Sequence, residues 1–275
     1  MKERKKKFGC LRTVIMFVVL VNLVNLLMDW IDSSNGSSES PDVDCSELML
    51  DDRSTGERAH RRHWSFSERH EAHCQVYSTF DEMTVQAEQR RNNMDISYKE
   101  RNFWGALYEE LIDQTQRELD FLADSLKNRS EQLGYSRLDM ARLTVSFIQD
   151  IPYSYVLPGP CTPEETHGTP CLGHRDYGII SPYEFMHTEQ GDCDTRSVLL
   201  YLLLEKMGFD PMIVVSDEYA HAMIALNIAA QGDYLKFRGR KYYFWETTAT
   251  GWPIGMLPPD TNNIKYWKVA LVNES

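Results

Sequence analysis

The chain has 275 residues and a formal net charge of −12 at pH 7. Its first twelve residues carry a net charge of +5, so the rest of the chain carries −17. Such an acidic chain is not expected to bind nucleic acid, whose phosphates favour basic surfaces. About 200 residues follow the first 74, which is enough for one domain with a substantial hydrophobic core.

The N-terminal segment, residues 1–31, has the composition of a membrane-targeting sequence. Six basic residues among the first twelve precede an uncharged apolar run over residues 13–28. No Ala-x-Ala site follows this run, so we favour an uncleaved single-pass anchor over a cleaved signal peptide, which would give a secreted protein. The basic end is expected in the cytoplasm and the rest of the chain on the outer side of the cell membrane.

Residues 32–74 are interpreted as a flexible stalk, because they begin with a stretch rich in Ser, Asp, Glu and Gly that lacks apolar periodicity. The segment also contains two histidine pairs spaced three apart, His60 with His63 and His70 with His73. Such pairs can bind Zn or Cu from one helix face, but the spacing matches no established ligand template. We therefore favour a solvated polar segment and assign no metal site.

Residues 75–275 are expected to form one domain that begins with helices. Residues 84–129 predict one or two amphipathic helices, and residues 137–149 predict a further helix with several large apolar side chains. Pro152 is expected to end that helix, because the residue before a proline avoids the helical conformation.

A long loop rich in Pro and Gly, residues 158–191, leads to Cys193. Loops of this length are commonly functional, so we expect this one to line the entrance to Cys193. It contains His167, His174 and His187, which are alternative candidates for a base near Cys193, although each is expected to be exposed.

The cysteines indicate disulfides in an oxidising compartment. Cys161 and Cys171 lie in a short, proline-flanked turn region and are favoured as a pair. Cys45 and Cys74 would then form a second pair, although two unbonded thiols remain an alternative. Cys193 is left as the free cysteine.

A helix is predicted to begin at Cys193. Asp192 is a favourable N-cap, Asp194 suits the positive helix end, and Gly208 favours a stop. Residues 198–204 are apolar, so the helix is expected to be buried on most sides, with its cysteine end facing an opening.

A cysteine at a helix N-terminus is suited to nucleophilic chemistry. The helix amides and dipole favour the thiolate, and the same amides can hold an oxyanion. Downstream, His221 lies on one predicted strand as a candidate base, and Glu246 lies on another as the group that orients it. Gln190 is a weaker candidate for a second oxyanion donor.

The two predicted strands are expected to bring His221 and Glu246 together. Period-two alternation places His221 on the face of Met223 and Glu246 on the face of Phe244. Antiparallel pairing would make the two polar residues near neighbours across the strands. A hairpin within residues 234–241 would alter that register.

The order of helix-borne Cys193, strand-borne His221 and strand-borne Glu246 resembles the transglutaminase-like superfamily of papain-like thiol enzymes. The nearest resemblance is to prokaryotic, often membrane-attached transglutaminase-like proteins, over about residues 138–264. Four motifs carry it: Gly191-Asp192-Cys193-Asp194, His221-Ala222, Glu246-Thr247-Thr248 and Gly251-Trp252-Pro253-Ile254-Gly255. One departure is Glu246, which stands where an aspartate is commoner in the wider superfamily.

The resemblance implies an α+β fold in which the helix that begins at the cysteine packs on an antiparallel sheet. It also implies a thiol enzyme that acts on amide bonds of a protein or peptide through an acyl-enzyme, with Cys193, His221 and Glu246 as its triad. Water would give peptidase or amidase activity and an amine would give acyl transfer; the residues leave both open. The chemistry needs no metal or organic cofactor. The alternative is an inactive binding module with the same fold.

Overall fold

The computed structural model describes residues 55–66, 71–115 and 117–273. The expected membrane anchor at residues 13–28 and the first half of the expected stalk lie outside these ranges. Within the described ranges, no helix has the length and apolar character needed to cross a bilayer.

A β-hairpin comes first in the described part of the chain. Helices and two short strands follow, and the five strands of one sheet come last. The helices are α1 (Asp81–Asn92), α2 (Phe103–Thr115), α3 (Asp120–Gln132), α4 (Arg137–Gln149), α5 (Pro163–Thr166), α6 (Pro182–Thr188) and α7 (Cys193–Lys206). The strands are β1 (Glu57–Phe66), β2 (Glu71–Phe80), β3 (Tyr155–Val156), β4 (Cys171–Leu172), β5 (Pro211–Ser216), β6 (His221–Leu226), β7 (Tyr234–Phe237), β8 (Arg240–Trp245) and β9 (Lys268–Val272). Short 3₁₀ turns cover Asp176–Gly178, Pro259–Thr261 and Ile264–Tyr266.

The five-stranded sheet has the order β7-β8-β6-β5-β9, and every neighbouring pair is antiparallel. Helix α7 packs against β5 and β6. Ala222 and Ile224 belong to the apolar cluster on the helix side, whereas Met223 and Phe244 belong to a separate cluster that includes Trp267. The expected alternation of the two strand faces is therefore confirmed, and the structure is of the α+β class.

Helix α7 is the central buried element. The side chains of Val198–Leu204 are at most 4% exposed, as their apolar character predicts. The helix ends at Lys206, and Gly208 just beyond it has a φ of +79°, the left-handed conformation that glycine adopts without steric cost. The amides of Gly208 and Phe209 donate to the carbonyls of Glu205 and Leu204, which closes the final turn.

The second half of the expected stalk is instead a hairpin. Strands β1 and β2 pair over ten positions, from Glu57 opposite Phe80 to Phe66 opposite Glu71. His60, Trp64 and His73 are buried on the hairpin. The interpretation as a solvated segment was wrong, because histidines rather than aliphatic residues occupy part of the buried face and hide the period-two pattern.

Polar side chains attach the hairpin to the domain. Arg62 donates to the Asp150 carboxylate at 2.6 Å, at the end of α4. Tyr77 donates to Glu189 at 2.9 Å, just beyond α6. Glu189 has a φ of +51° and stands four residues before Cys193, so the hairpin contacts the segment that leads into the candidate site.

His187 lies at the centre of this attachment and not in an exposed loop. It belongs to α6, is 8% exposed, and its Nδ1 lies 2.8 Å from Thr79 Oγ1. Its Nε2 lies 3.3 Å from Asp81 Oδ1. The expectation that His187 is exposed was wrong, because a proline at the first turn and a Ser181 capping box form a helix within the predicted loop.

The burial of His187 predicts a loss of stability in acid. Burial, followed by the charge of Arg58, lowers the pKa of His187 below its ordinary value of 6.5. The unfolded chain therefore binds the proton more readily, and this contribution to stability is lost as the pH falls below about 6.5. We expect the Tm of the wild type to fall more steeply between pH 7.5 and 5 than that of His187→Gln, measured by circular dichroism. Parallel curves for the two proteins would contradict this.

The helical region contains three helices where one or two were expected. α1, α2 and α3 replace the predicted stretch over residues 84–129, whereas α4 matches its predicted bounds. The Ser136 side chain caps α4 by accepting from the Asp139 amide. The segment between α1 and α2 is held by Tyr177, whose hydroxyl contacts both the Met94 carbonyl and the Ile96 amide; this tertiary contact has no local sequence signal.

The loop that precedes Cys193 contains the disulfide favoured from the sequence. Cys161 and Cys171 are joined, with their Cα atoms 6.0 Å apart. Cys74 is also disulfide-bonded. Its expected pairing with Cys45 falls on a residue outside the described ranges.

Candidate active site

The N-terminus of α7 carries Cys193 as its first residue. Asp192 precedes it in an extended conformation, and its Oδ1 accepts a hydrogen bond of 3.2 Å from the Thr195 amide. The predicted N-cap and helix start are therefore confirmed. Cys193 is the free cysteine of the described residues and is 7% exposed, so the thiol is more enclosed than the expected opening implied.

His221 and Glu246 meet beside the sheet. His221 begins β6, and Glu246 follows the last residue of β8. The register, with Ile224 opposite Trp245, brings these two strand ends together. His221 Nε2 lies 2.8 Å from Glu246 Oε2, so the proximity expected from antiparallel pairing is present despite the additional strand β7.

Glu246 is fixed on both carboxylate oxygens. Its Oε1 accepts from the amides of Thr247 and Thr248, each at 2.8 Å, and from the Thr248 hydroxyl at 2.6 Å. Burial alone would raise the pKa of Glu246, but the hydrogen bonds to His221 and Thr248 outweigh burial and lower it to about 2. The carboxylate is therefore ionised at neutral pH and favours a proton on His221 Nε2, which leaves Nδ1 as the basic nitrogen.

The Cys193 thiol contacts Asp194. Its Sγ lies 3.7 Å from Asp194 Oδ2, and no hydrogen bond joins it to His221 in the part of the chain that the structure describes. Burial, followed by the charges of Asp194 and Asp192, raises the pKa of Cys193 well above its ordinary value; the backbone amide of Ala222 opposes this. Burial and the two neighbouring carboxyl groups therefore act against the helix amides that were expected to favour a thiolate.

The two acidic residues around Cys193 are themselves perturbed. Burial, followed by the charge of Asp194, raises the pKa of Asp192 to about 7. Burial also raises the pKa of Asp194, although the hydrogen bond from Tyr108 and the charge of His221 oppose this. The start of α7 therefore places two carboxyl groups with raised pKa values in an enclosed environment around Cys193.

Arg196 is the functional candidate that sequence reasoning missed. Its side chain is 0% exposed, and its guanidinium donates to backbone carbonyls at the end of α4 and in the surrounding loops. The acceptors are the carbonyls of Gly191 at 3.1 Å, Ile148 at 2.8 Å, Ile151 at 2.6 Å, Pro152 at 2.9 Å and Thr247 at 3.4 Å. Arg196 thus joins the loop before Cys193 to the loop after Glu246. The available signal was an arginine two residues before the apolar run of a helix predicted to be buried on most sides.

The Gly251–Gly255 motif packs behind Glu246. The Trp252 carbonyl accepts from Gln149 Nε2 at 3.2 Å and from Trp245 Nε1 at 3.0 Å. Gln149 Nε2 also donates to the Glu246 carbonyl at 2.6 Å. Gly255 has a φ of +82°, and a Cβ there would lie 1.9 Å from the backbone oxygen of Gln231. Only glycine fits this crossing, which helps to fix the position of Glu246.

The other candidates do not join the cluster. Gln190 is half-buried, its amide donates to Thr188 Oγ1 at 3.3 Å, and no side-chain hydrogen bond links it to Cys193 among the described residues. Its oxyanion role remains a prediction. His167 and His174 are exposed, as expected, and both have a positive φ on loops. His221 is thus the histidine that has a carboxylate partner at this end of α7.

Comparison with known proteins found a structural similarity at low sequence identity. No protein-family model matches the chain, and no curated protein does. A solved structure described as a crystal structure of a TGase matches 74% of this chain at 12% identity with a TM-score of 0.32. The chain spans about half, 49%, of the length of that structure. A similarity at this level does not establish family or activity.

Proposed function

We propose that the chain is a thiol enzyme that acts on amide bonds of a protein or peptide through Cys193, His221 and Glu246. The observation that carries the proposal is the 2.8 Å hydrogen bond between His221 Nε2 and a Glu246 carboxylate that is held on its other oxygen by Thr247 and Thr248. In such a pair the histidine can act as a general base, and the carboxylate fixes its orientation. Cys193, the free cysteine of the described residues, begins the adjacent buried helix.

The reaction follows from the roles of these groups. His221 Nδ1 takes the proton from Cys193, and the sulfur attacks the amide carbonyl to form a tetrahedral intermediate. The C–N bond then breaks as the imidazolium gives its proton to the leaving amine, which leaves an acyl group on sulfur. Water or a second amine releases that group, so the same site supports hydrolysis or acyl transfer.

We also propose that the domain works outside the cytoplasm, attached to the membrane through residues 13–28. The composition of the N-terminal segment supports this, as does the disulfide between Cys161 and Cys171, since such bonds persist in oxidising compartments. The substrate class available there is protein or peptide of the cell envelope. Immunoblots of cells treated with an external protease test the orientation, because a cytoplasmic domain would stay intact.

The dependence of Cys193 on His221 is the direct test of the triad. The full chain in detergent is treated with iodoacetamide from pH 5 to 9 under non-reducing conditions, and modification is followed by peptide mass spectrometry. We expect His221→Ala to slow alkylation of Cys193 by about ten-fold or more over pH 6–8, because the base that accepts the thiol proton is lost.

His174→Ala is the matched control, since His174 is exposed on the preceding loop. It should alkylate like the wild type. If His221→Ala also behaves like the wild type, the triad is wrong. A second measurement uses p-nitrophenyl acetate and follows the acetyl adduct on the peptide that contains Cys193, which the wild type should form and His221→Ala should not.

A binding module without activity is the second candidate function. The observation that favours it is the contact between Cys193 Sγ and Asp194, in an environment that raises the pKa of the thiol. In that case Cys193→Ala would leave the cellular role of the protein unchanged. Complementation of a deletion strain by Cys193→Ala separates the two functions.

A further inference from the structure

Asp194 makes two contacts that the proposed triad does not use. Its Oδ2 lies 3.7 Å from Cys193 Sγ, and its Oδ1 accepts a hydrogen bond from the Tyr108 hydroxyl. Tyr108 is 0% exposed on α2. Burial, followed by the charge of Asp194, raises the pKa of this phenol well above its ordinary value, so the hydroxyl remains a donor wherever the protein is folded.

The two groups that face the Asp194 carboxyl oxygens are both hydrogen-bond donors. Two donors, a phenol and a thiol, face the two oxygens of Asp194, and an ionised carboxylate accepts at both. The thiol hydrogen is therefore directed at Asp194. His221, whose Nε2 is occupied by Glu246, makes no hydrogen bond to Sγ among the described residues. The contact with Asp194 thus competes with the transfer of the thiol proton to His221 that the proposed triad requires.

We propose that Asp194 is a positioning residue that holds the Cys193 thiol in a protonated resting state, with Tyr108 fixing the direction of its carboxylate. This inference rests on the proposed function. Activation requires the thiol to turn from Asp194 to His221. The S–H bond then breaks, its proton binds His221 Nδ1, and the electron pair stays on sulfur, while Asp194 remains ionised and bonded to Tyr108.

The other charged and titratable groups around this contact come from several elements. They are Asp192 and Arg196 beside Cys193, Tyr153 after α4, His221 on β6 and Glu246 after β8. Asp194 is the carboxyl group in direct contact with the Cys193 thiol, and its charge raises the pKa of that thiol, as do the charges of Asp192 and Glu246. Removal of the Asp194 charge should therefore change the thiol more than removal of any other single carboxylate.

The test compares Asp194→Asn with the wild type in the iodoacetamide experiment on the full chain in detergent. Asparagine keeps the size of the side chain and a hydrogen-bonding oxygen, but it removes the negative charge beside sulfur. We expect Asp194→Asn to alkylate at Cys193 about ten-fold faster than the wild type at pH 6, with the midpoint of the profile moved to lower pH. Asp194→Glu, which restores a carboxylate, should return at least part of the shift.

The matched control is Asp217→Asn, at an exposed aspartate that pairs with Lys268. It should leave the profile unchanged. Equal profiles for Asp194→Asn and the wild type, in a series where His221→Ala slows alkylation, would overturn the role of Asp194 and leave the triad standing. If His221→Ala has no effect, the proposed function itself fails.

A second measurement leaves Asp194 unchanged, so it tests the proposal even if Asp194→Asn does not fold. The thiolate absorbs near 240 nm, so the difference in absorbance between the wild type and Cys193→Ala reports its ionisation. We expect no thiolate signal in the resting wild type between pH 6 and 8. A thiolate signal at pH 6 would overturn the proposal without any change at Asp194.

Discussion

Glu246→Gln is expected to reduce acylation of Cys193 by about 10³-fold or more. A glutamine amide can donate to His221 Nε2, which would move the ring proton to Nδ1 and remove the basic nitrogen that the proposed mechanism requires. Loss of the carboxylate in a comparable triad costs about 10⁴ in kcat for the same reason. The measurement is the rate of acetyl transfer from p-nitrophenyl acetate to Cys193, followed by mass spectrometry at pH 7.

Two further variants, Glu246→Asp and Glu205→Gln, test whether the effect depends on the position of the Glu246 carboxylate. Aspartate keeps the charge but withdraws it from His221 by one methylene, so an intermediate rate is expected. Glu205 lies at the far end of α7, and its glutamine variant should react like the wild type. A Glu246→Gln protein with a rate within about three-fold of the wild type would show that the carboxylate does not set the tautomer of His221.

The same substitution has a signature in acid. The pKa of Glu246 is lowered to about 2 from 4.5, so the stability that it contributes is complete above about 4.5 and is lost as the pH falls towards 2. This contribution is on the order of 3 kcal/mol. The wild type should therefore lose stability relative to Glu246→Gln over that interval, measured by urea unfolding at each pH.

Arg196→Met is expected to lower the free energy of unfolding by about 3–5 kcal/mol, which is among the largest effects of a single substitution. Methionine fills much of the volume but donates no hydrogen bond. The carbonyls of Ile148, Ile151 and Pro152, which accept from Arg196 at 2.6–2.9 Å, would lose that donor in a buried place. For a domain of this size the loss corresponds to a decrease in Tm of roughly 6–20 °C.

Arg240→Met is the control, because the exposed Arg240 pairs with Asp210 at the surface and such pairs contribute little. Arg196→Lys should be intermediate, since a single ammonium cannot reach carbonyls on three sides as a planar guanidinium does. An Arg196→Met protein that unfolds within 1–2 °C of the wild type, on the scale of surface substitutions, would refute the structural role assigned to these hydrogen bonds.

Sequence periodicity predicted the elements whose environment is uniform. Helix α7 is surrounded by apolar groups. The residues that cap and stop it, Asp192 and Gly208, lie next to its two ends in the sequence, so both ends were predictable. The faces of β6 and β8 followed from simple alternation. His221 and Glu246 were predicted to lie together because each side chain alternates between the two faces of its strand, and antiparallel pairing of the two strands brings their ends close to each other.

Tertiary contacts decided the rest. The hairpin of β1 and β2 escaped prediction because its buried histidines find partners across the hairpin and on distant elements, such as Thr79 for His60 and Tyr135 for His73. The thiolate expected at Cys193 was predicted from its position at the helix N-terminus alone. Tyr108, which fixes the competing carboxylate of Asp194, lies 86 residues earlier and carries no motif that links it to the cysteine.

The strand order also determines how the sheet meets other chains. Within the described residues, β7 and β9 form its two edges. β7 spans four residues, of which Lys236 is one, and Arg238 follows it in the turn to β8, so another strand that approached this edge would meet positive charge. At the opposite edge the Ala270 carbonyl already accepts from Asn102 on the segment that enters α2. Edge-to-edge aggregation through this sheet is therefore disfavoured on both sides, by charge at one and by a covering helix at the other.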